Sequence, residues 1–120
     1  MVIGVGIDLI EIARIRRAME RNPRFIYRIL TDNEREYCRT VQQVAGRWAA
    51  KEAIAKAVGL KLRWHQVEIL PDELGQPVAT VRAMDYDPTR LRLKISITHE
   101  RTHAAAVAIL ERVVLHKQIY

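Results

Sequence analysis

Two carboxylates stand in apolar company in this sequence. Asp8 closes the run Val2-Ile3-Gly4-Val5-Gly6-Ile7, which reads as a strand, and Glu52 lies within Trp48-Ala49-Ala50-Lys51-Glu52-Ala53-Ile54-Ala55-Lys56, which reads as a helix. A carboxylate withdrawn from water needs a partner. If the fold brings the two together, their oxygens form a seat for a hard cation such as Mg²⁺, an ion that usually keeps several waters and binds a substrate phosphate. That pairing points to phosphoryl transfer. The same residues also fit plainer roles: Glu52 and Lys56 are four apart and suit a surface ion pair worth a few tenths of a kcal/mol, and Asp8 suits the N-cap of a following helix.

These residues must be positioned by a small body. With 120 residues, 49% of them hydrophobic, the chain suits a single domain over 1–120 with a modest core. No apolar stretch approaches the roughly 20 residues of a membrane span, so a soluble, unexported protein is expected. A lone cysteine, Cys38, excludes an internal disulfide and a zinc knuckle and fits a reducing compartment. Cytoplasm is the expected location. Twenty basic against 14 acidic residues leave a net charge of +6, which favours acidic partners. One Phe, two Trp and four Tyr, without interleaved basic and aromatic clusters, argue against a nucleic-acid module.

The patterning predicts an α+β order of elements. Leu9, Ile12, Ile15 and Met19 recur at helical spacing, with Arg14, Arg17 and Arg21 on the opposite face as a cationic stripe that solvation alone would account for. Asn22-Pro23 breaks this helix, Phe25 to Leu30 form a short apolar element, and Thr31-Asp32-Asn33-Glu34 has the spacing of a capping box. An alanine-rich helix is expected from about Val44 to Val58, with Gly59 as its C-terminal cap, packed at the centre of the domain. Val67 to Leu70 and Val78 to Val81 flank Pro71-Asp72-Glu73-Leu74-Gly75-Gln76-Pro77 as a hairpin with a longer loop. Leu91 to Thr98 alternate strictly, and Ala104 to Leu110 form a further strand. His99, between these two runs, suits a solvated turn, and Lys51 suits plain solvation.

In their order, these motifs resemble the holo-acyl-carrier-protein synthases, the short-chain class of 4′-phosphopantetheinyl transferases. The resemblance rests on Gly6-Ile7-Asp8 with Arg14 in the following helix, on Arg47-Trp48-Ala49-Ala50-Lys51-Glu52-Ala53 with Lys56, on Gly75-Gln76-Pro77, and on Ser96-Ile97-Thr98-His99. It implies an antiparallel sheet packed against a central alanine-rich helix, usually in a homotrimer with active sites at subunit interfaces. The implied activity moves the phosphopantetheine arm of coenzyme A to a serine of an acidic acyl carrier protein, in support of fatty acid biosynthesis, and releases 3′,5′-ADP. Magnesium is the implied cofactor. Position by position, Asp8 and Glu52 match metal ligands and, with Lys56, the catalytic set. Arg47, Lys51, Lys56, Gly75, Pro77, Thr98 and His99 match positions around coenzyme A, and Arg14, Arg17 and Arg21 match the face that docks the carrier. Nucleic acid and membrane are not implied partners.

The chain departs from the family pattern after Gly59, where Lys61-Leu62-Arg63-Trp64 follows without a glycine-containing insertion, and Thr98 stands where serine is usual. A competing reading is a non-catalytic basic module that holds an acidic protein or RNA through the arginine stripe.

Overall fold

Small residues on two elements set how closely a helix can lie on a sheet, and here they do so at the centre of the fold. The computed structural model describes residues 1–114. In chain order, strand β1 (Val2–Glu11) is followed by helices α1 (Ile12–Arg21), α2 (Phe25–Ile29), α3 (Asp32–Tyr37) and α4 (Val41–Val58), a single 3₁₀ turn at Trp64–Gln66, and strands β2 (Val67–Pro71), β3 (Pro77–Val81), β4 (Leu91–His99) and β5 (His103–Arg112). The strands form an antiparallel three-stranded sheet in the order β1-β5-β4 and a separate β2-β3 ribbon, so the expected α+β architecture is present. Helix α4 crosses the inner face of the three-stranded sheet.

The inner face carries Ala104, Ala106, Ala108 and Leu110 of β5, all buried, and α4 meets it with Ala45, Ala49, Ala53 and Ala57. On β1 the facing positions are Gly4 and Gly6. A Cβ on Gly4 would stand 2.0 Å from the carbonyl oxygen of Ala57, and one on Gly6 would stand 1.9 Å from that of Ala53. Only a residue without a side chain admits this approach. The strand therefore runs against the helix backbone itself, and the next inward residue along β1 is Asp8.

Two boundaries differ from the sequence reading. Leu9 belongs to β1 and is exposed, because β5 continues the ladder to Glu11 through the pairs Leu9 with Ala105, Ile10 with Ala104 and Glu11 with His103. Asp8 thus lies inside the strand, and Glu11 takes the N-cap position of α1 without a side-chain cap bond, which removes the capping role for Asp8. Helix α4 begins at Val41, three residues earlier than expected, because Thr40 and Gln43 close a capping box. The expected box at Thr31 and Glu34 and the left-handed Gly59 cap, at φ 74°, are both present.

The ribbon turns through Asp72-Glu73-Leu74-Gly75-Gln76. Gly75 sits at φ 84°, a conformation that favours glycine, and Asp72 Oδ1 accepts the N–H groups of Leu74 and Gln76. β3 then lies beside β4 and brings the turn toward the end of the main sheet. Among the described residues no helix is long and apolar enough to cross a membrane.

Candidate active site

The glycine seam places Asp8 against α4 from the β1 side. Lys56 Nζ donates to the Ile7 carbonyl at 2.9 Å and to Asp8 Oδ1 at 3.3 Å. Asp8 Oδ2 is buried, and no donor among the described residues reaches it. An orphaned carboxylate oxygen in the interior costs about 1–3 kcal/mol, so something must repay it. Glu52 is half-buried one turn before Lys56 on the same face of α4, and Lys56 turns to the strand rather than to Glu52. The helical ion pair considered for Glu52 and Lys56 therefore does not form. A carboxylate with an unsatisfied buried oxygen thus lies on β1 beside the Lys56 ammonium, with a second carboxylate, Glu52, on the adjacent helix; among the described residues no group of three or more His, Cys, Asp or Glu side chains is placed to hold a metal ion.

A second feature lies on the other flank of the helix. A cavity of about 330 Å³ is bounded by Arg47 and Gly46 of α4, Tyr37 at the end of α3, Gly75 and Pro77 of the ribbon, and His99 of β4. Four of the positions expected around coenzyme A are thereby gathered at one place. Arg47 is 8% exposed; its Nε donates to the Ile69 carbonyl at 3.4 Å, and its guanidinium lies 4.8 Å from the centre of the Tyr37 ring. Stacking of this kind leaves the planar edge of the group available for an anion. Gly46 is compact for a reason, since a Cβ there would stand 3.0 Å from Ile97 Cγ2.

Within one chain these two features do not meet. Arg47 and Glu52 are five residues apart, which at roughly 100° per residue turns them about 140° from each other around the helix axis. The sheet shows the same separation: Asp8 and Ile97 both pair with Ala106, from opposite sides, so they stand two strands, or roughly 10 Å, apart. Thr98 is separated again. Alternation along β4 puts it on the outer face beside Ile7, Ser96 and Val107, away from His99.

Lys51 departs furthest from expectation. It is not solvated: its buried ammonium donates to Glu34 Oε1 at 2.6 Å, to the Ile29 carbonyl at 2.7 Å and to the Trp64 carbonyl at 3.0 Å, and the residue borders, with Glu52, a separate cavity of about 210 Å³. All three of its donors are occupied, so none is left for a phosphate. Burial lowers its pKa from the ordinary lysine value, and the charge and hydrogen bond of Glu34 oppose that shift. Glu34 was visible in the sequence only as the closing member of a capping box; Tyr37 and Gln42, which line the cavity, carried no signal beyond their places at the end of α3 and in the first turn of α4.

The family model for the 4′-phosphopantetheinyl transferase superfamily matches residues 4–109. The chain belongs to that superfamily. A holo-[acyl-carrier-protein] synthase of Halalkalibacterium halodurans is 43% identical over 93% of this chain and 98% of the relative. Among solved structures, the synthase of Bacillus anthracis in complex with CoA (3′,5′-ADP) superposes with a TM-score of 0.78 at 33% identity, covering 92% of this chain and 96% of that one. The Helicobacter pylori synthase in complex with coenzyme A gives 0.80 at 32% identity, covering 89% and 99%. Both features on the flanks of α4 fall within the matched residues.

Proposed function

We infer that this chain is a holo-acyl-carrier-protein synthase: it transfers 4′-phosphopantetheine from coenzyme A to a serine of an apo-acyl carrier protein and releases 3′,5′-ADP. The observation that carries the reading is the buried, unpartnered Asp8 Oδ2 beside Lys56, in a chain of this superfamily. A non-catalytic basic module has no use for that geometry.

The orphaned oxygen and the adjacent Glu52 suit Mg²⁺, which takes one or two carboxylates and completes its shell with water and substrate phosphate. Held there, the ion would supply positive charge opposite the diphosphate of coenzyme A. The chain's own residues do the rest. Lys56, pinned by the Ile7 carbonyl, keeps its ammonium beside Asp8, where it offsets charge on the phosphoryl oxygens and on the departing 3′,5′-ADP. Arg47, Gly75, Pro77 and His99 line the cavity that suits the nucleotide. Arg14, Arg17 and Arg21 are exposed on α1 and offer a cationic face to an acidic carrier.

A homotrimer with composite sites accounts for the separation of the two halves. The outer face of the main sheet supports it: Val5, Ile7 and Leu9 are each more than 60% exposed, and Val107 and Ile109 of β5 continue the apolar surface. An exposed apolar face of this kind marks an association surface. The setting that fits is the cytoplasm and the supply of holo carrier to fatty acid biosynthesis.

The test is incubation with coenzyme A, Mg²⁺ and apo carrier, read as a phosphopantetheine adduct by mass spectrometry. Asp8→Ala and Glu52→Ala are expected to lower the rate by at least about 100-fold while retaining the circular-dichroism spectrum of the parent, the loss corresponding to several kcal/mol of charge stabilisation. Full activity in both variants, or no adduct on any carrier with the parent, would overturn the reading.

A further inference from the structure

The face of α4 that meets the sheet is nearly all alanine, and the long side chain that ties it to β1 is Lys56, at the last turn of the helix. Rotation matters here, because turning the helix moves Glu52 and Arg47 together, one away from Asp8 and the other across its cavity. The side of α4 opposite the sheet carries Lys51, about 100° from Glu52 and about 40° from Arg47. Its ammonium is tied to three elements at once: the Ile29 carbonyl at the end of α2, Glu34 of α3, and the Trp64 carbonyl at the 3₁₀ turn.

The other member of the pair extends this tie to the nucleotide side. Glu34 is wholly buried; its Oε1 also accepts the Thr31 N–H at 2.9 Å, and its Oε2 accepts the Ile69 N–H at 2.7 Å. Ile69 is the residue whose carbonyl takes Arg47 Nε. One buried pair thus reaches Glu52 through the adjacent residue of α4 and Arg47 through one residue of β2. Neither Glu34 nor Lys51 lines the cavity that holds Arg47.

We propose that Glu34 and Lys51 are positioning residues of the transferase: their buried pair sets the rotation of α4 and the start of β2, so that Glu52 and Arg47 are presented correctly from opposite flanks of one helix. The proposal rests on the transferase reading above. It separates from a purely structural role because that role predicts lower stability with the kinetic constants of the folded enzyme unchanged, whereas a positioning role predicts altered constants in molecules that still fold.

The deciding experiment is the double variant Glu34→Leu with Lys51→Met, assayed with coenzyme A, Mg²⁺ and apo carrier beside the parent, with thermal unfolding followed on the same samples. The expected result is a cooperative transition with a lowered midpoint, since the Thr31 and Ile69 N–H groups and the Ile29 and Trp64 carbonyls lose their partners, with kcat at least tenfold lower and KM for coenzyme A at least fivefold higher. A folded double variant with both constants within twofold of the parent overturns the proposal. If the double variant shows no cooperative transition, Lys51→Arg decides: it keeps the charge but replaces three divergent donors with a planar fork. A folded Lys51→Arg variant with kcat at least fivefold lower supports the positioning role; parental constants, or loss of folding here too, overturn it. A parent that transfers nothing under these conditions overturns the transferase reading instead.

Discussion

Glu100, in the turn between β4 and β5, shows how much a few hydrogen bonds can do to one exposed group. It accepts the Thr102 hydroxyl and the N–H groups of Thr102 and His103, and these, the Thr102 hydroxyl first, lower its pKa from the ordinary 4.5 to about 2. Since the folded value lies below the unfolded one, the stabilisation is complete above about 4.5 and is lost as pH falls toward about 2. An NMR titration should find that midpoint near 2 and should find it raised in Thr102→Ala; a midpoint unmoved by the substitution would refute the assignment. Cys38 shifts the other way. Burial raises its thiol above the ordinary value, against an opposing effect of the Arg47 charge. Alkylation at pH 8 should accordingly run several-fold slower in the folded protein than in urea, and equal rates would contradict it. At this scale the sequence was informative where chemistry is local and silent where it is not. Asp8 stood out by its apolar neighbours, whereas the role of Lys51 depends on Glu34, seventeen residues away on another helix, and no spacing rule connects them.

The element that decides the site is the seam of β1 on α4. Adding a methyl at Gly6 pushes into the Ala53 carbonyl, a backbone atom that cannot rotate aside. Gly6→Ala should therefore cost at least about 2 kcal/mol, in the upper part of the range for overpacked cores, measured as a lower urea midpoint. A loss below about 0.5 kcal/mol would mean that the helix can move off the strand. Thr40→Ala should cost about 1 kcal/mol through loss of the N-cap bond to Gln43 N–H. The sequence reading placed the start of this helix at Val44 because alanine density marks the middle of such an element better than its end, although Thr40-Val41-Gln42-Gln43 carried the cap in plain view. Leu9 misled for a different reason: its spacing to Ile12 fits a helix, but only the pairing partner in β5 reveals that the strand runs on. The alternation of Leu91 to Thr98 left no such ambiguity, and β4 lies where it was expected.

At the scale of the whole molecule, Arg47 and Glu52 lie on opposite flanks of α4, and the proposed homotrimer is what would bring a complete set of groups together. If neighbouring chains supply the two halves, mixing equal amounts of refolded Asp8→Ala and Arg47→Ala variants, each inactive alone, should restore about a quarter of parental activity, the share of interfaces that receive both intact halves. No recovery on mixing, or a strict monomer with full activity in sedimentation, would exclude composite sites. The proposed assembly rests on resemblance, because an apolar position on a strand does not announce whether it faces a core or a neighbour; Ile10 and Leu9 are adjacent and apolar, yet one is buried and the other exposed. The exposed face has a further consequence for a solitary chain. β1 is an edge strand of its sheet, so a solitary copy presents unpaired backbone groups beside a row of uncovered Val5, Ile7 and Leu9. Such an edge is a template for indiscriminate strand addition. Substitutions that weaken association would then surface as insolubility on expression, well before anyone measured a slower enzyme.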